Sequence, residues 1–308
     1  MLITRLVLTA ERFRQWSIAQ FAFLLLGLLK LFPADGAIAF AERFTRWLGP
    51  KLKRRHKLTL TNLRNAFPEK SEAEIEAIAL ESWGSIGRLA AEYVFLDELF
   101  DFDPENPKPG RIEVSGIPLF LELREKPRPF IVFTAHTGNF ELLPVASAAF
   151  GLDVTVLFRP PNNPYVAEKV FDFRKQRMGN LVPSHAGSSF TLARKLEAGG
   201  AVGVLVDQKF RKGLTTKFFG QDVRTNPLLA KLVRQFNCEV YPARSIRLPG
   251  GRFRLELEPA IEIPRRADGS VDVVATAQML NDKVESWVRE YPGQWLWYHD
   301  RWQIKRKL

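Results

Sequence analysis

Hydrophobic positions change period along this chain, and the change divides it into a helical first third and an alternating remainder. Near the start, an apolar run from Trp16 to Phe32 is interrupted only by Ser17, Gln20, Gly27 and Lys30 and is stopped by Pro33. Its about 17 residues lie at the lower edge of what spans a bilayer. Residues 36–49 and 51–66 pattern as two basic amphipathic helices, the second ended by Pro68. Ser71 followed by Glu74 forms a capping box that opens a long helix through about Leu99. The segment Asp101 to Gly110, with three prolines, reads as a linker. From Arg111 onward, apolar strands are predicted at 111–115, 129–134, 153–158, 201–206, 239–247 and 252–259. Helices are predicted between most of them at 116–125, 141–150, 163–178, 187–198 and 226–237. Such alternation predicts an α/β fold: a mostly parallel sheet flanked by helices, ending in an antiparallel hairpin turned at Pro249-Gly250-Gly251. A last helix at 271–290 leads into a Trp-rich tail. The expected organisation is a membrane-associating helix at 1–33, a helical region at 34–100 and an α/β domain at 111–308, with 34–308 forming one compact unit.

Composition adds a bias toward an anionic partner. The chain has 308 residues, 24 Phe, 7 Trp and a formal charge of +11. Nucleic acid, an anionic membrane surface and a phosphorylated substrate all satisfy that bias. The aromatics fall mainly in apolar runs and in the tail, which disfavours a nucleic-acid-binding protein. Arg5, Arg12 and Arg14 precede the apolar run. Arg43, Arg46, Lys51, Lys53, Arg54, Arg55 and Lys57 follow it, so both ends favour the same side of a membrane and a shallow anchor. No small-x-small cleavage site follows as a signal peptide would require. The run Lys51 to Lys57 beside such an anchor reads as an adhesion patch for anionic lipid. One cysteine, Cys238, excludes an intramolecular disulfide, and four histidines without cysteine spacing leave no zinc motif. No cofactor is called for.

Chemistry in such sheets collects at the carboxyl ends of strands. Three polar stretches emerge there: His136 to Glu141, Phe158 to Asn163, and Asp207 to Lys212. In the first, a base and a carboxylate five residues on are separated by a turn. Gly138 permits unusual backbone angles in that turn, and Asn139 is a good cap. A general base needs its ring fixed by such a carboxylate. Arg159, before two prolines, sits in a stiff extended setting suited to holding a phosphate or carboxylate. With Arg174, Lys175, Arg177, Lys209, Arg211, Lys212, Lys217 and Arg224, it predicts a basic basin at the mouth of the sheet. Asp207 among these cations either pairs with one of them or positions a substrate hydroxyl. Metal binding would need more ligands than His136 and Glu141, with only His185 and Asp207 as additions. A covalent route lacks a Gly-x-Ser-x-Gly elbow, and Cys238 has no histidine near it in sequence.

Together these blocks resemble the late acyltransferases of lipid A biosynthesis, the lauroyl and myristoyl transferases within the lysophospholipid acyltransferase superfamily. His136-Thr137-Gly138-Asn139-Phe140-Glu141 is similar to the superfamily's histidine-four-residues-acid motif. Phe158-Arg159-Pro160-Pro161-Asn162-Asn163-Pro164 resembles its second block, and Val206-Asp207-Gln208 with Phe218-Phe219-Gly220 its third. Asn62 to Pro68 and Tyr291 to Trp302 look like the branch's two terminal signatures, although Asp300 stands where a basic residue is expected. The resemblance implies an enzyme at the cytoplasmic face of the bacterial inner membrane. Its reaction moves a fatty acyl group from acyl carrier protein, or coenzyme A, onto a hydroxyl of a phosphorylated glycolipid. It implies His136 and Glu141 as catalytic residues, with Glu141 holding the ring. Backbone N–H groups around Gly138 and Asn139, or Arg159, are the expected oxyanion donors. Arg159, Asn139, Asn162, Arg174, Arg177, Asp207, Gln208, Lys209 and Arg211 are the expected substrate-binding residues. The same fold acting on another lipid or glycolipid acceptor is the alternative.

Overall fold

Ser71 accepts the Glu74 backbone N–H at 3.4 Å while the Glu74 carboxylate accepts the Ser71 N–H at 2.9 Å, so the predicted capping box starts its helix. In the computed structural model, which describes residues 2–185 and 187–302, this helix is the fourth. The N-terminal third comprises α1 (Leu2–Leu29), α2 (Ala34–Leu48), α3 (Lys53–Ala66), α4 (Glu72–Val94) and the short α5 (Leu96–Leu99). The expected single helix through Leu99 thus breaks at Phe95.

After it follow β1 (Ile112–Ser115), α6 (Ile117–Glu125), β2 (Phe130–Thr134), α7 (Leu142–Ala149), β3 (Val154–Phe158), α8 (Pro164–Arg177) and β4 (Asn180–Pro183). Then come α9 (Ser188–Glu197), β5 (Ala201–Leu205), β6 (Lys209–Phe218), β7 (Gln221–Thr225), α10 (Leu228–Phe236), β8 (Glu239–Leu248), β9 (Arg252–Leu257) and α11 (Val273–Glu290). Seven strands form one sheet in the order β1-β9-β8-β2-β5-β3-β4. Every neighbouring pair is parallel except the hairpin β8–β9, turned at Gly250 and Gly251 with φ of 76° and 71°. Glycine meets no penalty at such angles, which is why the hairpin falls there.

Side chains of the central strands alternate between the two faces. On β2, Ile131 and Phe133 join a core with α3, α4, α9, α10, α11 and the tail residues Trp295 and Trp297. Phe130 and Val132 belong to the other face, under α2, α5, α6 and α7. Helices of the N-terminal third therefore contribute to both cores.

Three strands were not anticipated. β4 is a short edge strand that ends at Pro183, the position where proline is tolerated in a sheet. β6 and β7 form a separate two-stranded ribbon in a stretch whose sequence shows a polar outlet followed by scattered basic residues. Residues 209–212 are exposed, so no apolar alternation announces the strand. What holds the ribbon comes from elsewhere: buried Arg301 donates to the Arg224 carbonyl at 2.8 Å and to Thr225 Oγ1 at 2.9 Å, and Asn281 Nδ2 donates to Thr216 Oγ1 at 2.9 Å.

Among the described residues, no helix is long and apolar enough to cross a membrane. α1 starts well before the apolar run and carries Glu11, Arg12 and Arg14. It lies against the rest of the chain, with Ala19 buried and the Gln15 carbonyl accepting from Asn163 Nδ2 at 2.7 Å. Its outer side leaves Phe13, Phe21 and Leu24 exposed.

Candidate active site

The parallel register of β2 and β5 creates the site. Thr134 pairs with Leu205, and the Val206 N–H donates to the Thr134 carbonyl at 3.0 Å. Two residues beyond each strand end, at the same level, stand His136 and Asp207. Asp207 accepts the His136 backbone N–H at 2.9 Å and lies 2.7 Å from Nδ1 of the ring. Trp295 Nε1 donates to the same carboxylate at 2.8 Å. Burial acts to raise the Asp207 pKa, but the His136 charge and these hydrogen bonds outweigh it and hold the group well below the carboxylate range. An ionised Asp207 makes Nδ1 the protonated ring nitrogen and leaves Nε2 as an acceptor. The Gln208 amide lies 3.0 Å from Nε2 and fits as its donor.

The turn after His136 is clamped between β8 and the tail. Gly138 has φ of 56°, and a Cβ there would meet the Ser245 carbonyl oxygen at 2.0 Å. Its N–H donates to the Gln294 carbonyl at 3.1 Å, and Thr137 bridges Trp295. That bond removes Gly138 from the expected oxyanion donors. Asn139 is fully buried and accepts the Glu141 N–H at 3.2 Å in the turn ahead of α7; the residue that caps α7 is Glu141, without a side-chain capping bond, so Asn139 is not the cap its residue type predicts. The tail is itself held by the N-terminal helices: Asn62 Nδ2 donates to the Trp297 and His299 carbonyls, each at 2.8 Å, and Ser82 to the Trp295 carbonyl at 2.8 Å.

Glu141 is not the ring's partner. Its carboxylate is ion-paired to Arg174, whose guanidinium also lies over the rings of Phe158 at 5.3 Å and Tyr93 at 5.9 Å. Burial pushes the Glu141 pKa up, opposed by Arg174 and, less, by His136. The expectation that Glu141 fixes the imidazole is therefore corrected: Asp207 has that geometry. Asp207 in turn pairs with none of the lysines or arginines of the basin. The signal was present in sequence as two polar outlets, each two residues past an apolar strand. It needed the β2–β5 register to be read.

A cavity of about 710 Å³ opens at this carboxyl edge. His136, Glu141, Arg159, Asn162, Arg174, Gln208, Lys209 and His299 line its polar part, and Arg55 of α3 and Asp300 join them. Deeper, the wall is apolar: Val132, Leu143, Val154, Val156, Met178 and Leu181. Arg159 is exposed and has no ion-pair partner among the described residues. Lys209 is paired to Asp300 at 3.1 Å. Of the nine cations expected in the basin, Arg159, Arg174 and Lys209 line the cavity, and six lie elsewhere: Arg177 is bound to Asp97, Arg211 and Lys212 are exposed on β6, and Lys175, Lys217 and Arg224 are likewise outside the lining. Cys238 is buried away from the cavity, its thiol pushed up to about 11 by burial. His185 Nδ1 accepts the Gly187 N–H at 3.0 Å, and no group of three or more His, Cys, Asp or Glu placed to hold a metal occurs among the described residues.

Comparison with known proteins gives this arrangement a lineage. The family model for the bacterial lipid A biosynthesis acyltransferases matches residues 9–304. The chain is 26% identical over 267 residues to the lipid A biosynthesis myristoyltransferase of Escherichia coli, covering 85% of this chain and 79% of that one. It is 25% identical over 264 residues to the palmitoleoyltransferase of the same organism, covering 83% and 81%. To a lipid A biosynthesis acyltransferase of Haemophilus influenzae it is 22% identical over 254 residues, covering 82% and 76%. With the family's pattern running through nearly its whole length, this chain belongs to the bacterial lipid A biosynthesis acyltransferases, enzymes of acyl transfer.

Proposed function

We propose that the protein is a membrane-bound O-acyltransferase that moves a fatty acyl group from a carrier-protein or coenzyme A thioester to a hydroxyl of a lipid A precursor. His136 Nε2 takes the acceptor hydroxyl proton as the oxygen attacks the thioester carbonyl. The C–S bond then breaks, and the imidazolium returns the proton to the leaving thiolate. Asp207 keeps Nδ1 protonated and stabilises the imidazolium while it exists. Glu141 holds Arg174 in the cavity wall beside the ring. Arg159 and Gln208 are the polar groups placed to meet the developing oxyanion or an acceptor phosphate. The apolar depth of the cavity suits a fatty chain, and the exposed apolar side of α1 with the basic run Lys51 to Lys57 suits an anionic membrane at the cytoplasmic face of the inner membrane.

The observation that carries this reading is the His136–Asp207 contact at 2.7 Å beside a cavity that passes from cationic to apolar walls. A transfer assay with acyl carrier protein thioester and purified lipid A precursor tests it, with product mass giving the position of the added chain. His136→Ala is expected to lower kcat about 10²–10⁴-fold with acceptor binding kept. Near-wild-type turnover in that variant, or release of free fatty acid without acceptor, contradicts the reading.

A further inference from the structure

The second helix, α2, buries Ala37 and Ile38 against the rest of the protein, and its two acids are held by neighbouring cations, Asp35 by Arg111 at 2.7 Å and Glu42 by Arg88 at 2.9 Å. Its three aromatic residues face outward, with Phe40 62%, Phe44 46% and Trp47 59% exposed. These three recur at i, i+4 and i+7, one stripe of a helix. Phe40 and Phe44 stack at 6.1 Å and Phe44 and Trp47 meet at 5.9 Å, so the stripe is one continuous ridge. Lys51 places its ammonium 3.1 Å from the Trp47 ring centre. Arg43, on the same side, and Lys51 have no acidic partner among the described residues. A ridge meant for a protein core would not leave three aromatic rings in water, and a solvated helix face would not carry them in one unbroken stripe flanked by unpaired cations.

We propose that α2 is an in-plane interfacial helix, whose ridge Phe40-Phe44-Trp47 inserts into the headgroup region of an anionic bilayer while Arg43 and Lys51 meet lipid phosphates. Aromatic rings with basic flanks are the side chains that favour this depth. The inference rests on the membrane-bound reading above and goes beyond it, because it makes attachment depend on α2 as well as α1. It also orients the molecule: α3 follows α2 within a few residues and delivers Arg55 and Leu58 to the cavity wall, so a leaflet that holds α2 lies close to the cavity mouth.

The test uses the full chain with vesicles of phosphatidylcholine alone or mixed with phosphatidylglycerol, read by flotation. Wild type is expected to float with the anionic vesicles. Phe40→Ser/Phe44→Ser/Trp47→Ser should lower partitioning about tenfold or more, with thermal midpoint and transfer in detergent solution unchanged. If the triple variant is unstable, Arg43→Glu/Lys51→Glu still decides: binding to anionic vesicles should fall about tenfold and binding to neutral ones should not. Wild-type partitioning in these variants overturns the role of α2 but leaves membrane attachment through α1 standing. Failure of wild type to bind anionic vesicles overturns both. A triple variant that binds vesicles normally but changes oligomeric state makes the ridge a contact between copies and likewise overturns the proposal.

Discussion

Two buried carboxylates flank His136, and they are held in opposite ways. On the β5 flank, Asp207 is hydrogen-bonded by the neutral backbone N–H of His136, the Trp295 indole and the imidazole, and none of its direct partners among the described residues is a lysine or arginine. On the α7–α8 flank, Glu141 is already neutralised by Arg174, which two aromatic faces hold in place. The first arrangement favours a ring that gains a proton during reaction. The second fixes the shape and charge of a wall. A carboxylate near a histidine is thus not by itself a catalytic partner; what else it is bound to decides.

Breaking each flank should give different signatures. Glu141→Ala leaves Arg174 buried without its partner and is expected to cost about 3–5 kcal/mol of stability, seen as a lower unfolding midpoint in urea. Replacing both members, Glu141→Leu with Arg174→Met, should recover much of that loss; no recovery would mean the pair does more than compensate its own charge. The β5 flank should announce itself in acid. His299 is pushed down to about 4, first by burial and then by the His136 charge, with Asp207 opposing. Between pH 6.5 and about 4 the unfolded chain binds a proton there that the folded chain does not. Stability therefore falls as pH drops through that window, by up to about 1.4 kcal/mol per pH unit. His299→Gln should flatten the slope in a urea series across pH. The smallest effect separates cavity from surface: Arg159→Ala is expected to raise KM for the acceptor about tenfold at near-constant kcat, while Arg211→Ala stays within about twofold. Equal effects would return Arg211 to the site.

Much of the sheet was legible because parallel strands buried on both faces read as apolar runs, and the hairpin because its turn carries two glycines. The ribbon β6–β7 was not, since Lys209 to Lys212 show no apolar alternation and the groups that hold it, Asn281 and Arg301, lie far along the chain. Within the site, the strand-end residues His136, Arg159 and Gln208 were legible as outlets into one mouth. Partner choice was not: which carboxylate meets the ring depends on the β2–β5 register and on Trp295, a tail residue brought in by Asn62 and Ser82. Arg55 sits in the basic run Lys51 to Lys57 that resembles a lipid patch in sequence, although helical spacing with Leu58 puts the two on one face toward the cavity.

The pairing of His136 with Asp207 is tested most directly by kcat at saturating donor and acceptor for Asp207→Asn and Glu141→Gln, both near-isosteric. Asp207→Asn should lose about 10²–10⁴-fold in kcat with KM values near wild type, while Glu141→Gln keeps kcat within about tenfold. The reverse ranking, with Asp207→Asn turning over normally and Glu141→Gln inactive, would contradict it.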